Sequence, residues 1–315
     1  MGYTKTRGVK TAMRKVLNFG SLNLDYVYQV PHFVQPGETL HAAQQQVHCG
    51  GKGLNQSIAL ARAGAEVYHA GCVGEGGERL VQELRKNGVD TKHIAKVPAP
   101  QGNAVIQVDA NAENCILLFG GSNRMITSRR IETVLADFAA GDWLVLQNEI
   151  NGMEEILEKA FAKGMQIALN PSPFDADAQR LDYKKVTWLL VNRIEAEQIT
   201  GQTQPQQVWE TLHAAYPNLN LVLTQGSKGA DCFTAQSHTH RDAFRVEAVD
   251  TTAAGDTFTG YFLDSLLRGQ DPAQCLERAS CASAIAVTRS GAADSIPAAE
   301  EVERWLAQFR AARDK

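Results

Sequence analysis

An aspartate that follows small residues at a helix start can take a proton beside a bound anion. The segment Asp250-Thr251-Thr252-Ala253-Ala254-Gly255-Asp256-Thr257-Phe258-Thr259-Gly260 has this form. Free amides at a helix start point outward and attract negative charge. Asp256 would sit in that first turn and deprotonate a hydroxyl as it attacks phosphorus. The amides of Ala253, Ala254 and Gly255 would stabilise the transferring phosphoryl group. An ordinary N-capping aspartate is the competing reading of the same residues.

Four other segments carry polar groups at chemically useful spacings. In Gly50-Gly51-Lys52-Gly53-Leu54-Asn55-Gln56 the glycines let backbone approach a ligand, and Lys52 and Asn55 supply donors for hydroxyls or phosphate. The spacing is not that of a Walker loop, and a plain strand-to-helix loop is the alternative. Gly20-Ser21-Leu22-Asn23-Leu24-Asp25 follows the first strand-like run, where open α/β sheets bind ligands. Asn23 and Asp25 suit a polyol, or form an Asx turn. Asn192-Arg193-Ile194-Glu195, together with Glu149, sets an amide and carboxylates at two more strand ends. Hard oxygens suit Mg²⁺, often through water, although Asn192 and Glu195 also read as a capping box. Thr224-Gln225-Gly226-Ser227-Lys228-Gly229 fits nucleotide phosphates or a hairpin turn. The histidines show no metal or catalytic spacing, and His238 and His240 alternate along a surface strand.

These segments need elements to hold them. Strand-like runs fall at Val16–Phe19, Val67–Ala70, Trp143–Gln147, Gln166–Leu169, Val186–Val191, Leu221–Thr224 and Ala230–Thr234. Helical stretches lie between them near 53–63, 78–87, 128–140, 152–163, 194–200 and 205–215, then at 255–268, 272–288 and 298–312. This alternation predicts an α/β chain with a mostly parallel central sheet covered on both faces. Residues 24–49 and 103–119 break the rhythm and read as β-ribbon, with strand-like pieces at 24–34 and 39–48 and a polar turn at Asp109–Asn114. Paired, they would make a small sheet over the strand ends, a lid.

Of the 315 residues, 44% are hydrophobic and 21% charged, with 31 basic against 35 acidic side chains. The balance excludes a disordered or collagen-like chain. A formal charge of −4 gives no electrostatic reason to bind nucleic acid or an anionic membrane. No run of about 18 apolar residues is present to span a bilayer. Six cysteines, none in a CxxC pair, read as reduced thiols of a cytoplasmic protein. The acid-free start MGYTKTRGVKTAMRK lacks the apolar core of a secretory signal. Residues 1–13 read as a disordered basic extension before a catalytic domain over 14–312, or as a transit-like segment.

The joint order of the motifs resembles the ribokinase-like carbohydrate kinases, the PfkB family, over about residues 14–310. GSLNLD at 20–25, GGKGLNQ at 50–56, LNPSP at 169–173, NRIEAEQITG at 192–201, TQGSKGA at 224–230, VDTTAAGDTFTG at 249–260 and AIAVTRSGA at 284–292 carry the likeness. The resemblance implies an ATP-dependent sugar kinase with Asp256 as general base and Ala253, Ala254 and Gly255 as its anion hole. It implies sugar contacts from Asn23, Asp25, Gly51, Lys52, Asn55 and Glu149, with Ala104, Ile106 and Leu118 of the lid on the sugar's apolar face. Nucleotide contacts follow from Asn192, Thr224, Gly226, Ser227, Gly229 and Gly255, with Ser280 near adenine. Glu195 would organise Mg²⁺ through water. Asp250, Thr252, Ala286, Arg289, Gly291 and Ser295 match a potassium site built largely of carbonyls. Paired lids imply a homodimer, for which unpaired strand edges are a physical reason.

Residues 103–119 hold no Lys or Arg to receive a substrate phosphate, so the expected acceptor is an unphosphorylated pentose, ribose first. Deoxyribose, a nucleoside such as pseudouridine, a ketohexose or its phosphate, and a non-catalytic sugar sensor are the alternatives. The chain departs from the family pattern at Asn148, Val191, Ser280 and the short Gly74–Gly77 loop.

Overall fold

The computed structural model describes residues 14–111 and 113–313. The extension expected over 1–13 lies outside them. In chain order the first half comprises β1 (Val16–Phe19), β2 (Asn23–Gln29), β3 (Gln44–Gly50), α1 (Lys52–Ala63), β4 (Val67–Glu75), α2 (Glu78–Lys86), β5 (Asp90–Pro100), β6 (Asn103–Val108), β7 (Asn114–Phe119), α3 (Ser128–Leu135) and β8 (Trp143–Gln147). Then come α4 (Met153–Ala162), β9 (Gln166–Asn170), α5 (Ala176–Gln179), β10 (Trp188–Asn192), α6 (Arg193–Thr200), α7 (Pro205–Ala215), β11 (Asn220–Thr224), β12 (Ala230–Phe233), β13 (His238–Arg241), α8 (Ala254–Leu267), α9 (Pro272–Val287) and α10 (Ala299–Arg313).

Nine strands form one sheet in the order β13-β12-β11-β10-β9-β8-β1-β4-β5. It is parallel from β11 to β5, and β12 and β13 turn back antiparallel. Successive side chains of a strand face opposite sides. Val16, Val145, Leu190 and Val222 therefore join one core with α1, α2, α8, α9 and α10. Leu17, Leu144, Leu189 and Leu221 join the other, with α3, α4, α6 and α7. Completely buried leucines such as Leu54 and Leu146 each stabilise the fold by roughly 1.5–3 kcal/mol relative to exposure.

A second sheet, β3-β2-β6-β7, is built from the two expected ribbons. β2 runs antiparallel to β3 and parallel to β6, and β7 closes the far edge. Its strands are shorter than the sequence suggested on the 39–48 side, where β3 begins only at Gln44. The helix expected over 128–140 ends at Leu135. β5 was not expected. Its sequence DTKHIAKVPAP mixes charges and prolines, as an edge strand tolerates.

One contact positions the chemistry. α1 and α8 cross at Gly260, where an added Cβ would lie 2.4 Å from the Ala59 Cβ. Only a glycine allows this approach, which brings the first turns of both helices together.

Candidate active site

α8 begins at Ala254, and its N-cap, Ala253, has φ 59°. Ala253 is the only non-glycine residue with positive φ among those described. Such a conformation costs about 1 kcal/mol or more and tends to persist where function needs it. The next amides begin a helix and have no partner four residues back. Asp256 stands three residues past the cap, so it is not the capping aspartate. Instead its carboxylate receives Asn55 Nδ2 at 3.1 Å and Gln56 Nε2 at 2.9 Å from α1.

The GSLNLD and GGKGLNQ segments close around the same place. Asp25 is buried on β2, and an added Cβ at Gly50 would lie 1.8 Å from its Oδ2. Burial, then the nearby Glu149 and Asp256 carboxylates, push the Asp25 carboxyl up to about 7. Lys52 opposes this charge. Burial alone would lower its ammonium, but Asp256, Glu149 and Glu195 outweigh that and hold it above the usual range. Glu149 is tied down by Ser21 Oγ at 2.5 Å and by the Lys52 amide at 3.1 Å, both donating to Oε2. Asn23, Leu118 and Glu149 line a cavity of about 160 Å³ with Phe119, Arg124, Asn148 and Pro173. Ala104 and Ile106 share one face of β6, and Leu118 pairs with Ala104 across to β7.

A second chamber, of about 250 Å³, has Asp256 in its own lining. Lys52, Asn170, Asn192, Glu195, Thr224, Ala253 and Gly255 line it. The Asn192–Glu195 capping box is present: Asn192 Oδ1 accepts the Glu195 amide at 2.9 Å, and Glu195 Oε2 accepts the Asn192 amide at 3.0 Å. The capping reading of these residues therefore holds, and both also line the chamber. Among the described residues no three of His, Cys, Asp or Glu group to grip a metal directly. The Glu195 carboxylate and the Asn170 and Asn192 amides that line the chamber are hard oxygen donors of the kind a hydrated Mg²⁺ would take.

The chamber shares Thr224, Thr251, Gly255 and Phe258 with a larger, mostly apolar cavity of about 490 Å³. Gly226, Ser227 and Gly229 line one wall and Ser280 another. All six nucleotide candidates other than Asn192 thus meet here, and Asn192 lies in the adjoining chamber. Three predicted cation-site residues are joined by hydrogen bonds. Asp250 Oδ1 accepts the Thr252 amide at 2.8 Å, and Oδ2 accepts the Gly291 amide at 3.0 Å. The Ala286 carbonyl accepts the Arg289 amide, and Ser295 is buried one short turn beyond Gly291. The Arg289 side chain itself turns away to Glu301.

Sequence reasoning missed several parts of the site. Asn123, buried in a 3-10 turn, donates to Asn23 Oδ1 at 2.7 Å and so turns the Asn23 amide nitrogen outward. Ala243, Phe244, Arg245 and Val246 line the larger cavity from an irregular segment with no motif to mark it. His238 and His240 are exposed on β13 as the alternation predicts, outside these cavities, and both bond the buried Asp231 Oδ1, at 2.8 and 3.1 Å.

A mostly apolar cavity that adjoins a polar chamber at the start of α8, with Asp256 in the chamber's lining, fits an enzyme that transfers a phosphoryl group to an alcohol. The model of the pfkB family of carbohydrate kinases matches residues 13–299, and the chain belongs to that family. It is an ATP-dependent sugar kinase. It is 35% identical over 306 residues to a ribokinase of Haemophilus influenzae, covering 93% of this chain and 99% of that protein. It is 31% identical to a deoxyribokinase of Salmonella typhi, covering 91% and 97%. The crystal structure of a ribokinase from Thermotoga maritima superposes with a TM-score of 0.82 at 31% identity, covering 94% and 99%.

Proposed function

We infer that the chain transfers the γ-phosphoryl group of ATP to the 5-hydroxyl of ribose, with Asp256 as general base. The carrying observation is that Asp256 lines the polar chamber with Lys52, Glu195 and Gly255 while accepting Asn55 of the GGKGLNQ segment. Its two oxygens each accept an amide donor, which holds the carboxylate in one orientation. The sugar lies with its hydroxyls toward Asn23, Asp25, Asn55 and Glu149, and its apolar face toward Ala104, Ile106 and Leu118. Adenine occupies the larger cavity, and the phosphates run past Gly226 and Ser227 to the start of α8. Lys52 and the amides of Ala253, Ala254 and Gly255 stabilise charge on the transferring group. Mg²⁺, held through water near Glu195, would neutralise phosphate charge when bound. K⁺ at the Asp250–Gly291 loop would order the anion hole beside it.

A second reading rests on Arg124, which lines the acceptor cavity from just beyond the cation-free 103–119 stretch. Its guanidinium would suit a sugar already phosphorylated at the end remote from Asp256. ADP release over ribose, deoxyribose, fructose, fructose phosphate, adenosine and pseudouridine separates the readings. Ribose as the best acceptor supports the first, and fructose phosphate as the best supports the second. Asp256→Asn is expected to lose at least about 100-fold in kcat while remaining folded. Turnover near the parent's would reject Asp256 as the base.

A further inference from the structure

Three amides deeper in the core than the substrate pocket connect to Asp256. Asn18 on β1, Gln56 on α1 and Gln147 on β8 are all completely buried. Asn18 Nδ2 donates at 2.9 Å to the Gly53 carbonyl, which can only accept. This fixes Asn18 with its Oδ1 as the remaining acceptor. Gln147 Nε2 donates to that Oδ1 at 3.0 Å and to Gln56 Oε1 at 2.7 Å. Gln56 is therefore left with its Nε2 toward Asp256 Oδ1, at 2.9 Å. One backbone carbonyl of α1 thus sets the direction of every amide in the series.

Two further observations set this array apart from ordinary core polarity. Gln147 Oε1 is buried with no partner, a group that a purely structural core would normally satisfy. Gly20 is packed against it: an added Cβ would lie 2.4 Å from Gln147 Oε1 and 3.2 Å from Asn18 Oδ1. The loop that opens the acceptor pocket is thereby seated directly on the array.

We propose that Gln147 and Gln56 are positioning residues for Asp256, and that Gln147 acts only through Gln56. With Gln147 in place, Gln56 always offers Asp256 a donor. Without it, the Gln56 amide can turn over and set its oxygen against the carboxylate, swinging the base off the line to the hydroxyl. This rests on the reading of Asp256 as the base, and the test separates the two.

The test is steady-state kinetics of Gln147→Met, Gln56→Met, the double variant and Asp256→Asn, with ribose and ATP and with thermal melts as folding controls. Met keeps the side chain's length and removes the amide. Gln147→Met is expected to lose about 10-fold or more in kcat with KM for ribose within about twofold, since small misplacements of a reacting group are costly. The double variant should be no slower than Gln56→Met alone, because residues that act as a unit are not additive. Parent-like kcat in folded Gln147→Met, alongside inactive Asp256→Asn, overturns the positioning role and leaves the base assignment intact. Should Gln147→Met fail to fold, parent-like kcat in Gln56→Met overturns it equally. Active Asp256→Asn overturns the assignment of the base itself.

Discussion

Asp25 and Asp256 are close enough for their charges to interact, yet their surroundings differ. Asp256 has two amide donors, whereas Asp25 is pushed up to about 7 by burial and by neighbouring carboxylates. Sugar hydroxyls that donate to a carboxylate favour its ionised form. KM for the sugar should therefore fall as pH rises from 6 to 8, and a pH series of initial rates checks this. The sign for stability is opposite. A carboxyl raised from 3.8 to about 7 favours the folded state fully below about pH 4, and that contribution is lost as pH rises through about 7. Asp25→Asn should therefore raise the melting temperature relative to the parent at pH 8 and not at pH 4, as calorimetry would show. At this scale the sequence was informative where a motif keeps its residues adjacent. Asn55 and Asp256 were legible because each lies in a short, glycine-marked stretch. Asn123 and Gln147 were not, because their partners are about a hundred residues away in the chain and only the sheet order brings them near.

The element that most needs support is α8, whose first turn must stay against α1. Behind that turn, the buried Asp264 of α8 accepts from Arg278 of α9 at 2.6 Å, and Arg278 also donates to the Ala63 carbonyl at the end of α1 at 2.9 Å. One guanidinium therefore ties three helices. Arg268 also donates to Asp264 Oδ2 at 2.7 Å and to the Ala63 carbonyl at 2.9 Å, so Arg278→Met leaves each acceptor a partner and should cost about 1.5–3 kcal/mol in denaturant unfolding. The helices and central strands were readable from periodicity because each buries a face. β5 was not, because the alternating face it buries begins with the polar Thr91 and His93 and is only half covered, and its prolines argue against a strand.

At the scale of the whole molecule, the second sheet ends in an open edge. β7 exposes Ile116, Leu117, Leu118 and Phe119, on both of its faces, and unpaired apolar edges invite pairing. A homodimer through this edge is our expectation. Leu117→Lys should shift the sedimentation coefficient to that of a monomer, and an unchanged dimer would exclude this edge. KCl in place of NaCl should raise kcat if the Asp250–Gly291 loop takes a cation, and equal rates in the two salts would remove that site. The lid over 24–49 and 103–119 was legible as ribbon, while its strand partners were not, since register is decided by pairing at long range.

That long range has a kinetic consequence. The centre of the second sheet joins β2 to β6, pairing Leu24 with Asn103 and Gln29 with Val108. Between them in the chain lie α1, β4, α2 and β5, all belonging to the main body. The small sheet therefore cannot close until that body has largely assembled, and it can come apart without disturbing the rest. Its backbone amides should exchange with deuterium faster than those of β1 or β8, and as one cooperative block. A bound acceptor, clasped between the sheet and the body, should slow that block alone.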